Sequence, residues 1–279
     1  MKRVASSLLL ALCLTCGAPA SATETERWAA YYGDTATTET LQPYQVLVLD
    51  SDRHPPIASL RQQRRLLLGY LSIGEAESYR SYYPRLQKAR LLLTPSKEWE
   101  GHELIDVRNP YWTALVIEEL IPAILHKGFD GVMLDTADSP IDFEAKQSAG
   151  QGLSNAVVAL IRTIRMHYPH MPIMLNRGFA VLPHVAQEVD MVLAESIIAG
   201  ADEKNTEPRR HAEQDTASAV ALLKEAQTQA PHLKIYTLDY WPQEDEEGIK
   251  AIYTAQREHG FIPYVAATVD LQGPVPEPR

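Results

Sequence analysis

An α/β fold of a single domain, the (β/α)8 barrel, is what this sequence predicts, and three observations predict it. Short apolar runs of strand composition alternate with helical patterns along almost the whole chain. Several runs, such as Val46-Leu47-Val48-Leu49, are apolar at successive positions, as strands covered on both faces of a parallel sheet must be. The runs also end repeatedly in polar residues: Asp50, Gly74-Glu75, Asp135, Asn176-Arg177, Glu195 and Asp239-Tyr240. A barrel packs its interior with apolar side chains and carries function at the carboxyl ends of its strands, so these residues would converge on one mouth.

The first 22 residues precede the fold. Lys2 and Arg3 make a positive start, Leu8–Leu14 an apolar run and Ala20-Ser21-Ala22 a cleavage site, which together read as a secretory leader. The apolar run is too short to span a bilayer. Cys13 and Cys16 both lie in the leader, so cleavage removes every cysteine and with them disulfides, thiolate metal sites and thiol catalysis. Leu12 and Thr15 precede them where lipidation favours a small residue. The expected product is secreted or periplasmic and has no membrane contact after cleavage. A single (β/α)8 domain is expected over residues 23–272.

Eight strands are expected at Trp28–Gly33, Tyr44–Asp50, Leu66–Glu75, Gly131–Thr136, Pro172–Arg177, Met191–Ser196, Lys234–Tyr240 and Ile262–Thr268. A ninth run, Leu104–Val107, is short and lies in a long connection with Pro84, Pro95 and Trp99, so it reads as an excursion from the barrel. Between strands, Asn109-Pro110 starts a helix that runs toward Gly128 with a kink at Pro122. Ser154 caps another, whose face carries Val157, Leu160, Ile161, Ile164 and Tyr168 before Pro169 ends it. The acids of Glu244–Glu247 suit a helix start. Gly200–Asp215 reads as a long loop after the sixth strand, and residues 273–279 as a flexible tail. An open doubly wound sheet is the alternative fold, but no Gly-rich phosphate turn supports it.

The chain carries 36 acidic and 26 basic residues, a net charge of −10 that becomes −12 once Lys2 and Arg3 are removed. Nucleic acid is excluded as a partner on that balance, whereas a cationic ligand is attracted. An acidic surface also serves solubility alone.

The carboxylates Asp135 and Glu195 carry the chemistry. Each follows about four residues that should be buried, so each projects from the mouth, and the fourth and sixth strands are near neighbours around the ring. Two carboxyl groups about 5–5.5 Å apart can divide the cleavage of a glycosidic bond, one protonating the leaving oxygen and the other capturing the oxocarbenium-like centre. Alternatively, either is an ion-pair partner of Arg177. The nine histidines show no H-x-H or H-E-x-x-H grouping, Ser72 lacks a G-x-S-x-G elbow, and no Lys closes a strand. No metal and no cofactor is assigned. Tyr31, Tyr32, Tyr70, Trp99, Tyr240 and Trp241 lie near the expected mouth, where Tyr240 and Trp241 suit sugar faces and Tyr70 reads as core.

The ordered set WAAYYG, YQVLVLD, GYLSIGEAESYR, LIDVRNPYW, GFDGVMLDTAD, MLNRGF, DMVLAES and LDY resembles glycoside hydrolase family 114, and the related hydrolase domains of Pel-type exopolysaccharide systems, from Trp28 to about Thr268. The resemblance implies a (β/α)8 barrel that cleaves α-1,4-linked galactosamine polymers internally and with retention. It implies Asp135 as nucleophile and Glu195 as acid/base, with Asp50, Glu75, Asn176, Arg177, Asp239 and Tyr240 lining the substrate groove. The expected partner is then a polysaccharide, a cationic aminosugar polymer. A neutral or N-acetylated polymer, or sugar binding without catalysis, are the competing readings.

Overall fold

The computed structural model describes residues 26–61, 65–97, 99–202 and 205–278. The expected leader lies outside them. Eight parallel strands form one sheet in chain order: β1 (Trp28–Tyr31), β2 (Val46–Leu49), β3 (Leu66–Ser72), β4 (Gly131–Asp135), β5 (Ile173–Asn176), β6 (Met191–Glu195), β7 (Lys234–Tyr240) and β8 (Ile262–Ala266). All but a few of their side chains are buried, which is why the sequence runs are apolar without alternation. With helices packed outside, this is a (β/α)8 barrel. Among the described residues β1 and β8 exchange no ladder bonds. The Trp28 indole instead donates to the Ile262 carbonyl at 2.9 Å, and its ring meets Tyr236 and Tyr264 edge-on, both at 5.6 Å.

Segments at the amino-terminal ends of the strands hold the base together. Asp130 and Asp190 accept the Leu67 and Ile173 amides at 2.9 and 2.8 Å, tying the entry of one strand to its neighbour. The stretch expected as a flexible tail is docked there. Val275 is buried, its amide donates to the Tyr264 hydroxyl, its carbonyl accepts from Tyr44, and Glu277 pairs with Arg257 at 2.5 Å. A tyrosine-lined floor offers hydroxyls that a bare sequence pattern does not reveal.

The helix after Asn109 starts as expected, with the Asn109 side chain accepting the Tyr111 amide. Its distortion is a π-turn over Val116–Leu120, just before Pro122. Proline cannot donate to the preceding turn, and the widened turn absorbs that loss. The helix Leu153–His167 is capped differently from the expectation. Gly152 occupies the cap, and the Glu144 carboxylate accepts the Gly152 and Ser154 amides at 2.6 and 2.7 Å together with the Ser154 hydroxyl. In the last long helix, Glu246–Glu258, Asp245 is the cap and accepts the Gly248 amide at 2.9 Å.

Two insertions flank the mouth. The first is a three-stranded antiparallel sheet after β3, in the order Glu75–Glu77, His102–Ile105, Leu92–Pro95, and it contains the run read as an excursion. Glu75 thus belongs to this sheet and not to the end of β3. The chain breaks direction at Gly74, where a Cβ would lie 2.1 Å from the Thr136 carbonyl. The second insertion corrects the expected loop after β6: Ala199–Asp202 pairs with Asn205–Arg210 as a hairpin, and a helix begins at Glu213.

Candidate active site

Three neighbouring strand ends build the mouth. β4 ends in Asp135, β5 in Asn176 and β6 in Glu195. Each is followed at once by a left-handed residue: Thr136 at φ 60°, Arg177 at 53° and Ser196 at 57°. Such backbone is uncommon outside glycine and strained for a β-branched side chain, so the surroundings must enforce it. At Thr136 they do. Its hydroxyl accepts the Gly74 and Glu75 amides at 2.9 and 3.1 Å and donates to the Asp135 carbonyl at 2.7 Å.

These turns bring the two carboxylates together. Asn176 Nδ2 donates to Asp135 Oδ1 at 2.8 Å and to Glu195 Oε2 at 3.0 Å, so those oxygens are at most about 5.8 Å apart. Tyr240 donates its hydroxyl to Glu195 Oε1 at 2.6 Å. Tyr70 bonds Asp135 from β3. Burial, and then the charge of Glu195, push the Asp135 carboxyl up to about 6, against the bonds from Asn176, the Thr136 amide and Tyr70.

The other expected groove residues fall into different places. Arg177 does not pair with either carboxylate; it bonds Asp138 at 3.2 Å and its side chain is half exposed. Asp50 accepts the Asp52 and Arg53 amides, both at 2.7 Å, and pairs with Arg80 at 2.8 Å. Glu75 is buried, held by Ser96 at 3.2 Å and facing His102 at 3.4 Å. Asp239, expected in the groove, is fully buried. Its Oδ1 accepts the Ile198 and Ala199 amides at 2.8 and 2.9 Å, and its Oδ2 accepts from Gln256 at 2.6 Å. That carboxylate therefore anchors the chain just beyond Glu195 instead of facing a ligand. Tyr240 is likewise buried and addresses Glu195, not a sugar face. Trp241 is no open platform, because the Arg210 guanidinium lies 5.3 Å from its ring centre and its indole donates to Asp245.

Sequence reasoning passed over Arg80; Tyr70 is core, as expected, and also faces Asp135. Arg80 is buried between Asp50, Asp52 and Glu77 and stands 5.5 Å from the Tyr70 ring. The signal for Tyr70 lay in the strand period, since Leu68, Tyr70 and Ser72 share a face and Ser72 is in register with Asp135.

Comparison with known proteins agrees with this fold. The solved glycoside hydrolase domain of PelA from Pseudomonas aeruginosa superposes with a TM-score of 0.77 at 24% identity, over 88% of this chain and 96% of that one. Ega3 of Aspergillus fumigatus, solved in complex with galactosamine, has a TM-score of 0.65 at 14% identity, over 91% and 94%. An uncharacterized protein of Deinococcus radiodurans is 28% identical over 235 residues, 80% of this chain and 73% of that protein. The profile of glycoside-hydrolase family GH114 matches residues 14–277, more than nine-tenths of the chain. The chain is a glycoside hydrolase and belongs to family GH114.

Proposed function

We propose that the chain cuts α-1,4-linked, galactosamine-rich polysaccharide at internal bonds with retention, using Asp135 as nucleophile and Glu195 as acid/base. The observation that carries this reading is the single Asn176 amide bonded to both carboxylates. It keeps one oxygen of each within about 5.8 Å of the other, which favours the about 5–5.5 Å spacing of a retaining pair over the about 6.5–9.5 Å of an inverting one. In the first step an Asp135 oxygen bonds to the anomeric carbon as the glycosidic C–O bond breaks, and the Glu195 proton moves to the leaving oxygen. In the second, Glu195 takes a proton from water, whose oxygen displaces Asp135. The Tyr240 hydroxyl and the Asn176 amide orient Glu195 for both steps.

An aminosugar suits the electrostatics. A mature charge of −12 attracts a polycation, and Ega3 binds galactosamine. The 2-ammonium of such a sugar is one carbon from the reacting centre, so its charge favours ionised Asp135. Cleavage outside the cytoplasm, after removal of the leader over residues 1–22, completes the reading, with residues 23–272 as the catalytic unit.

The test is to digest α-1,4-galactosamine polymers of graded acetylation and follow products by mass spectrometry and anomeric NMR. Internal cleavage yields mixed short oligomers, and retention yields α-anomers first. Initial β-anomers would make Asp135 a base for water, and glycan binding without shortening would leave a binding protein.

Two further results are expected. Asn176→Ala frees both carboxylates and lowers kcat by about 10²-fold, the scale of a misplaced catalytic group, with little change in Tm. A kcat within a fewfold of the parent would show that the amide does not position them. The kcat/KM profile rises with pH through a limb near 6, set by Asp135 in the free protein. The kcat limb moves lower on the deacetylated polymer and not on the N-acetylated one. Limbs that coincide for both substrates would contradict the role given to the ammonium.

A further inference from the structure

Most aromatic side chains are buried or half-buried among the described residues. Among the described residues, Tyr79 (70% exposed) and Trp99 (49%) stand out, and both lie on the sheet inserted after β3. Their loops are joined: the Ser78 amide donates to the Gly101 carbonyl at 2.8 Å. We propose that Tyr79 and Trp99 form a sugar-stacking subsite, away from the scissile bond, that holds one aminosugar unit of the bound polymer.

Three features carry this. The insertion is rooted beside the reacting carboxylate, because Thr136, next to Asp135, accepts the Gly74 and Glu75 amides that open it. From Glu75 the contact runs on to His102 at 3.4 Å, and from His102 to the Trp99 ring at 6.2 Å between centroids. Both rings are also supported from below. The Arg80 guanidinium lies 4.9 Å from the centre of Tyr79 and is itself fixed by Asp50, Asp52 and Glu77, while the His102 ring backs Trp99. A rigid aromatic with one open face loses little entropy when a sugar stacks on it.

The charge around Tyr79 favours an ammonium. Among the described residues, Asp50, Asp52 and Glu77 pair with the cations Arg80 and Lys127, which leaves one negative charge in excess. A hexosamine presents an apolar C–H face to the ring and a cation to the carboxylates.

This subsite rests on the proposed aminosugar polymer, and its test separates the two. The parent, Tyr79→Ala, Trp99→Ala and the double variant are compared on α-1,4-galactosamine oligomers of increasing length. The double variant loses about tenfold in kcat/KM on the longest oligomers, and progressively less as they shorten. A loss equal at every length, or none, overturns the subsite. Electrophoresis through gels containing the polymer reads binding without turnover. Weaker retardation of the double variant supports the subsite, and equal retardation overturns it, as does a parent that is not retarded. A retarded parent that never cuts the polymer overturns the proposed function alone.

Discussion

Asp135→Asn and Glu195→Gln each lower kcat by about 10³-fold or more on the polymer while the chain stays folded. The two losses have different signatures. Protonation by Glu195 matters only when the leaving group needs a proton, so Glu195→Gln recovers much of its first-step rate on an aryl glycoside with an acidic phenol. Asp135→Asn stays inactive on both substrates because nothing replaces the attacking oxygen. Equal recovery by both variants would remove the division of roles.

The same substitution changes stability in a direction set by linkage. The Asp135 carboxyl lies at about 6 in the folded protein against an ordinary 3.8, so the folded state binds the proton more tightly. Its cost to stability is absent below the unfolded value, grows as pH rises from 3.8 to about 6 and is fully present above that. Asp135→Asn therefore raises Tm at pH 7, and the gain disappears as pH falls toward 4. An unchanged Tm at pH 7 would mean that Asp135 is not strained by its surroundings. The inactive variant being the more stable one is the usual cost of a reactive site.

Arg80→Met has the largest expected effect on folding. The guanidinium and Glu77 are 4% and 1% exposed, and Arg80 bonds Glu77, Asp50 and Asp52 at 3.3, 2.8 and 2.8 Å. Its removal strands two inward-facing carboxylates and costs about 3–5 kcal/mol in urea or thermal unfolding. Adding Glu77→Gln to that variant restores part of the loss, because the stranded charge dominates the cost. A single variant within about 1 kcal/mol of the parent would show that solvent already relieves the cluster. Activity falls as well, through the contact of Arg80 with the Tyr70 ring and the bond from Tyr70 to Asp135.

The barrel is legible in the sequence because strands buried on both faces advertise themselves, as Val46–Leu49 and Gly131–Leu134 do. Asp135 and Glu195 are legible for a related reason: each ends an unbroken apolar run, and a buried strand stops being apolar where its mouth begins. The same rule misleads at Asp239, which is the last but one residue of β7 and, one past the Leu238 in register with Glu195, lies on the other face of the sheet. On that face it meets Gln256 of the last long helix and the Ile198 and Ala199 amides of the chain that folds back after Glu195. The hairpin at Ala199–Arg210 lacks apolar alternation, and so it reads as a loop until its pairing is seen. Arg80 is invisible because nothing local distinguishes a buried arginine from an exposed one; its partners are about 30 residues upstream at Asp50 and Asp52. The Asn176 bridge belongs to the same class, since a shared amide is a property of three strands at once.

Peptide mapping by mass spectrometry of the Glu195→Gln variant, quenched during turnover of an activated α-galactosaminide, tests the division of labour between the carboxylates most directly. Without its base the variant forms the ester faster than water releases it, so a single hexosamine adduct should accumulate on the peptide holding Asp135. An adduct on another residue, or none together with an initial β-anomeric product from the parent, would contradict nucleophilic attack by Asp135.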